Sequence, residues 1–168
     1  MKLKAKEICI FAMMGALMFA SKTAMEALPN IHPVTMLICA VTMAFGAKAL
    51  WSVVVFAFLV GLYNGFNLWW IPYLYIWLPP YLMALIVPWR KISVKLAVPL
   101  AMIICALHGL MYGTLYAPTQ ALIMGMKWET MIKWIVVGLP WDVLHGVSNF
   151  FIGGLAYPLA RLMKRTVK

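Results

Sequence analysis

An all-α integral membrane fold, a bundle of six transmembrane helices with both termini in the cytoplasm, follows from three properties of this 168-residue chain. The apolar set AVILMFWYC supplies 65% of the residues and charged residues only 11%, against about 45–50% and about 25% in a soluble domain. The apolar residues fall into runs separated by polar, proline or glycine punctuation. The 14 Lys and Arg side chains, set against 4 Asp and Glu, gather at alternate ends of those runs. A water-soluble enzyme, a nucleic-acid module and a disordered tail are poor fits. The net charge of +10 is therefore read by position relative to a bilayer rather than as a nucleic-acid signal. Spans of about 20 residues each leave nothing for a separate soluble unit, so residues 1–168 form a single transmembrane domain.

The runs place helices near 7 to 28, 34 to 47, 50 to 66, 73 to 89, 96 to 116 and 140 to 161. The second is short, and merging it with the third would give five spans and opposed termini. Charge decides between the two. With six helices and an inside N-terminus, Lys2, Lys4, Lys6, Lys48, Arg90, Lys91, Lys95, Arg161, Lys164, Arg165 and Lys168 all lie on the cytoplasmic side, eleven of the 14 basic residues. Lys127 and Lys133 fall outside and Lys22 within the first span, as the positive-inside rule prefers. A helix running from 131 to 161 would be about 46 Å long. Gly138 and Pro140 therefore mark a break, with 119 to 136 an amphipathic outer segment at the interface and the last helix starting near Pro140. The opening MKLKAKEICIFAMMGALMFA has the form of a secretory signal, but Met18 at the minus-three position argues against cleavage after Ala20. Cys9, Cys39 and Cys105 lie in apolar segments without CxxC spacing and are expected as free, buried thiols.

Polar groups inside such segments are expensive and face protein or a water-filled cavity. Asp142, His145 and Asn149 lie within about 60° on the wheel of the last helix, with Gly146 and Gly153 on the same face. His108, Tyr112 and Tyr116 follow at four-residue steps on the fifth. Lys22 and Glu26 form an i,i+4 pair on the first. His108, His145, Asn149 and Lys22 all fall roughly 7 to 14 Å below the outer surface. On that side the short Leu28-Pro29-Asn30-Ile31-His32-Pro33 connection is stiffened by its prolines. The run from Asn64 to Trp77 is dense in rings and amides, including Asn67, Trp69, Trp70 and Tyr73. Convergent hydrogen-bonding groups with rigid rings in an apolar setting describe a small-molecule site.

Each feature also has a plainer origin. The rings serve as an interfacial aromatic belt, Lys22 as a snorkelling cation, His108 as a paired interhelical group, and the Asp142 face as interhelical glue. Ala12, Ala16 and Ala20 form a small-residue ridge on the first helix that admits close approach of another helix, either within the chain or from a partner. Gly109 and Gly113 carry the same choice. No GxxxxGK[ST], HExxH or GxSxG motif is present, so uphill movement of a solute needs an ion gradient or an ATPase on another chain.

Six short helices with both termini inside, the alanine ridge, the Leu28-Pro29-Asn30-Ile31-His32 connection, Gly61-Leu62-Tyr63-Asn64-Gly65-Phe66-Asn67-Leu68-Trp69-Trp70, and Trp141-Asp142-Val143-Leu144-His145-Gly146-Val147-Ser148-Asn149-Phe150 followed by Pro158 together resemble the substrate-binding S component of an energy-coupling factor (ECF) transporter. The last two segments are similar to S-component-like proteins of Gram-positive bacteria. The resemblance covers nearly the whole chain. It implies a multi-pass protein of the bacterial cytoplasmic membrane, not itself an enzyme and without a cofactor of its own. Such a protein captures one small solute at the outer face and docks on a transmembrane coupling subunit, while two ATPase subunits use ATP.

Carried over by position, the resemblance makes Ala12, Ala16 and Ala20 the docking face and Asn30 and His32 part of the gate. Asn67, Trp69, Trp70, Tyr73, His108, Tyr112, Asp142, His145 and Asn149 become the pocket for a flat, vitamin-like heterocycle. Nickel and cobalt members carry a histidine after the initiating Met, where this chain has Lys2. Two other classes stay open: an integral-membrane metalloenzyme with His108, Asp142 and His145 as ligands, and a non-transporting assembly subunit.

Overall fold

A computed structural model describes residues 3–166, and Lys2 and Lys168 lie outside the described residues. Seven α-helices follow one another: α1 (Ala5–Ala24), α2 (Val34–Phe45), α3 (Leu50–Asn64), α4 (Leu78–Ile86), α5 (Val94–Met124), α6 (Trp128–Gly153) and α7 (Ala156–Thr166). Two 3-10 stretches, Gly46–Ala49 and Leu68–Leu74, join α2 to α3 and lead into α4. There is no strand among the described residues. The helical stretches Ala5–Ala24, Val34–Asn64, Val94–Met124 and Trp128–Gly153 are long and apolar enough to cross a membrane.

The short helix α2 is the centre of the bundle: ten of its twelve residues are buried, and it packs against α1, α4, α5, α6 and α7. A helix buried on nearly all sides carries no charged face, and the run VTMLICAVTMAF holds no charged residue. It stops at Gly46, whose φ of +62° is open to glycine and costly for side chains. The α1 helix buries only a narrow stripe, Phe11, Gly15 and Met18, against α3. A Cβ on Gly15 would stand 2.8 Å from the Ser52 carbonyl oxygen, so the two backbones meet there. At the start of α1 the Glu7 carboxylate accepts the Lys4 backbone N–H at 3.0 Å and pairs with Lys48 at 2.6 Å. This ties α1 to the turn between α2 and α3.

The largest contact is the α5–α6 hairpin. It is built on glycines: a Cβ on Gly109 would lie 2.6 Å from the Gly146 backbone nitrogen, and one on Gly153 3.0 Å from the Cα of Met102. Gly109 and Gly113 are thus used inside the chain. The expected break at Pro140 and the separate interfacial segment at 119 to 136 are absent. Instead α5 runs through Pro118 to Met124, and α6 is continuous from Trp128 with Pro140 inside it. Proline removes one N–H and opens the ladder four residues back. Beside Pro118, the Tyr75 hydroxyl donates to the Leu115 carbonyl at 2.7 Å, and Ala117, Ala121 and Met131 zip the tips of the two helices together. Tertiary packing overrides the breakers.

At 1.5 Å per residue the hairpin arms are about 46 and 39 Å long, against about 30 Å of hydrocarbon. Two further expectations change. The helix expected near 73 to 89 is the nine-residue α4, about 14 Å long, entered through Pro79 and Pro80 in its first turn. The expected last helix divides at Gly154–Leu155 into α6 and an amphipathic α7 whose Ala156 and Ala160 are buried. Cys39 and Cys105 are buried, their sulfurs 3.7 Å apart, whereas Cys9 is exposed.

Gly109→Val should wedge the hairpin open and cost about 1–3 kcal/mol of stability. Gly138→Ala, whose added methyl meets nothing within 4 Å, should leave thermal unfolding in detergent unchanged or slightly raised. Equal melting temperatures for the two variants would refute the close-approach argument.

Candidate functional site

Five segments converge on one buried cluster: the connection after α1, the first turn of α2, the segment before α4, the middle of α5 and the second half of α6. Its anchor is His108, fully buried on α5. Its Nε2 lies 2.9 Å from the Ile76 carbonyl oxygen and its Nδ1 2.9 Å from Thr35 Oγ1. A carbonyl only accepts, so Nε2 carries the proton and donates, and neutral Nδ1 accepts from the Thr35 hydroxyl. The Thr35 oxygen in turn faces Asn149 Nδ2 at 3.3 Å and accepts from it. One relay thus joins α6, α2, α5 and the segment before α4.

Around that relay stand groups without partners. Both ring nitrogens of His145, Nδ1 of His32, Oδ1 of Asn149 and the indole nitrogen of Trp77 are sealed from solvent and make no hydrogen bond. The rings touch one another: His145 lies 5.0 Å from His32, 5.0 Å from Tyr112 and 6.1 Å from His108. Trp77 packs on His108 at 5.3 Å, Tyr112 at 5.8 Å and His32 at 6.1 Å. A buried donor or acceptor left unpaired costs about 1–3 kcal/mol, and folded proteins carry few of them. Five in one place is a concentration of unmet hydrogen-bonding capacity that a polar guest or ordered water would satisfy.

Tyr112 stands between this cluster and an open cleft of about 380 Å³, lined by Pro29, Asn30, Gly113, Tyr116, Trp134, Ile135, Gly138, Trp141 and Asp142 as well as Tyr112. Asp142 is buried, and its two carboxylate oxygens share the Gly113 backbone N–H at 3.0 and 3.2 Å. Tyr112, Tyr116 and Trp134 form a near-parallel row, with successive centroids 6.4 Å apart and planes inclined by 26° and 25°. The connection after α1 is fastened over α6 by Asn30. Its side-chain amide donates to the Trp141 carbonyl at 3.2 Å, and its own carbonyl accepts the Ser148 hydroxyl at 3.2 Å. Asn30 has φ +58°, a left-handed conformation that asparagine tolerates better than most residues.

The predicted residues His108, Tyr112, Asp142, His145 and Asn149 therefore share one region with Asn30 and His32. Tyr73 packs on Trp77 at 5.8 Å. Trp69 lies behind it at 5.7 Å and offers its carbonyl to the Tyr116 hydroxyl at 2.7 Å. Trp70 is turned away: its indole N–H donates to the Ala57 carbonyl at 2.7 Å and its ring packs on Phe66. Asn67 is exposed, its carbonyl accepting the Trp70 N–H at the start of the 3-10 stretch. No ion pair within 4.0 Å joins Lys22 to Glu26; Glu26 is exposed. Ala12, Ala16 and Ala20 are all exposed, and the contact of α1 with α3 runs through Gly15 instead.

Sequence reasoning missed Trp77 and Thr35 and left Tyr116 and Trp134 outside the pocket set. Tyr116 was visible in the four-residue row with His108. Thr35 left no signal, because threonine in an apolar helix is ordinary: Thr42 of the same helix simply donates to the Ile38 carbonyl one turn back. For the metal alternative, His108 spends both nitrogens on protein partners and the Asp142 carboxylate faces Gly113. Among the described residues no three His, Cys, Asp or Glu side chains converge as a ligand set.

In the connection after α1, burial, with His145 and Lys22 nearby, pushes the His32 ring down from the usual 6.5 to about 3. The unfolded chain takes up this proton near pH 6.5 and the folded chain does not until about pH 3. Stability from neutral His32 is thus complete above pH 6.5 and falls as pH drops towards 3, by at most about 1.4 kcal/mol per pH unit. Melting temperature should fall more steeply between pH 7.5 and 5 in the parent protein than in His32→Gln; parallel curves would contradict this. No protein-family model, curated protein or solved structure matches the chain, so what the site does is argued from its own chemistry.

Proposed function

We propose that this chain is the substrate-binding subunit of an ATP-driven importer of the energy-coupling factor type, six spans with both termini cytoplasmic. It captures a small, flat, vitamin-like heterocycle from outside. The observation that carries this reading is the ring-packed cluster with five unpaired polar atoms. A heterocycle presents ring nitrogens, carbonyls and amines at its edge, the complement of His145, Asn149 Oδ1, Trp77 Nε1 and His32 Nδ1, while Tyr112 and Trp77 pack on its faces. Asp142 hydrogen-bonds or pairs with a polar atom of the solute nearer the mouth. Asn30 and His32 close over it, held by two contacts of Asn30 to α6 that a loop can make and break.

The remaining support lies away from the cluster. Basic residues cluster at one end of the chain's helices, including Arg90, Lys91, Lys95, Arg161, Lys164 and Arg165, which favours that end as cytoplasmic. The exposed Ala12-Ala16-Ala20 ridge leaves a small-residue surface on α1 for close approach of another membrane helix, the docking face for a separate coupling subunit with two ATPases. Transport energy then comes from those partners, and the chain itself performs no chemistry on the solute.

Ala16→Trp places a large ring on the exposed ridge without entering the α1–α3 contact. It should abolish cellular uptake and co-purification with the coupling subunit while solute affinity and melting temperature stay unchanged. Normal co-purification of Ala16→Trp would refute the docking assignment.

A further inference from the structure

Asp142 is 4% exposed, and its carboxylate meets only the Gly113 N–H. A carboxylate has about four acceptor sites. Among the described residues no Lys, Arg or His nitrogen lies within 4.0 Å of it, unlike Glu7 with its Lys48 partner. Buried charge is stable only when paired. The cleft it lines holds no cationic side chain and is bordered by four aromatic rings, Tyr112, Tyr116, Trp134 and Trp141, a residue type whose quadrupole attracts cations. Every local feature that discriminates by charge favours a positive guest.

We infer that the outer cleft selects a positively charged ligand, a cationic heteroaromatic ring or quaternary ammonium group, with Asp142 as its counter-ion and the Tyr116–Trp134 row as its wall. This rests on reading the chain as a solute-binding protein and specifies the charge of what it takes. The net charge of +10 works against it at long range, since it repels cations. A preference for the cation therefore has to arise within the cleft. Gly113 is part of the device: a Cβ there would fall 2.5 Å from Asp142 Oδ2, so only glycine leaves the carboxylate its place beside the backbone N–H.

The test is isothermal titration at pH 7.5 of the full chain in phosphatidylcholine nanodiscs, with empty nanodiscs as control, using 1-methylquinolinium and its uncharged relative quinoline as probes. The cation should bind at least tenfold more tightly than quinoline. In Asp142→Asn, whose amide oxygen still accepts the Gly113 N–H, that preference should shrink to twofold or less while quinoline affinity holds. Equal binding of both probes to the parent protein, no binding of either, or an undiminished preference in Asp142→Asn would each overturn the inference. The parent comparison needs no variant to fold. Equal binding would leave solute capture itself standing, because retention of native cargo through purification tests that separately.

Discussion

A histidine with no exposure to solvent, set among apolar helices, is costly to leave without partners for its ring nitrogens, and much of this architecture follows from how His108 finds both of its own. Its N–H reaches the Ile76 carbonyl just ahead of α4, and its acceptor nitrogen reaches Thr35 in the first turn of α2. Those two bonds set the depth at which the irregular, proline-rich segment before α4 enters the bundle. They also bring the N-terminal end of α2 against α5. Asn149 completes the relay from α6. Because the relay consumes the polar capacity of His108 and Thr35, it is structural. What it leaves unspent, on His145, Asn149 and Trp77, is available to a guest.

The face of α6 that carries Asp142, His145 and Asn149 is therefore not a single surface with one purpose. Tyr112 divides it. Asp142 lines an open cleft, His145 is packed among the rings of His32, His108 and Tyr112, and Asn149 is half committed to the relay. Tyr112 borders both cleft and cluster, as does the connection carrying Asn30 and His32. Glycines at 109, 113 and 146 allow this, since α5 and α6 approach closely enough for a backbone N–H of one to bind a carboxylate of the other.

Much of this was legible in the sequence because burying polar groups in apolar helices is costly, so their positions carry information. The spacing of Asp142, His145 and Asn149 and the row of His108 and Tyr112 located the region. The all-helical character followed from composition. What was not legible depended on tertiary partners. Pro118 and Pro140 read locally as breakers, yet the α5–α6 contact keeps both helices intact. Trp69 and Trp70 are adjacent in sequence and equal in composition, but a carbonyl on α3 turns Trp70 away. Trp77 sat at the end of an aromatic run with nothing to distinguish it, and only the packing of α4 against α5 places it among the histidines.

The central claim is that the unpaired polar atoms of the His145 cluster are matched by a small molecule. Native mass spectrometry of the purified chain, released gently from detergent, tests this most directly. One bound small molecule per chain is predicted, lost when His145 is replaced by Phe, which keeps the ring and removes both nitrogens. A chain that emerges bare under conditions that preserve its fold, or an adduct that survives His145→Phe unchanged, would contradict the account.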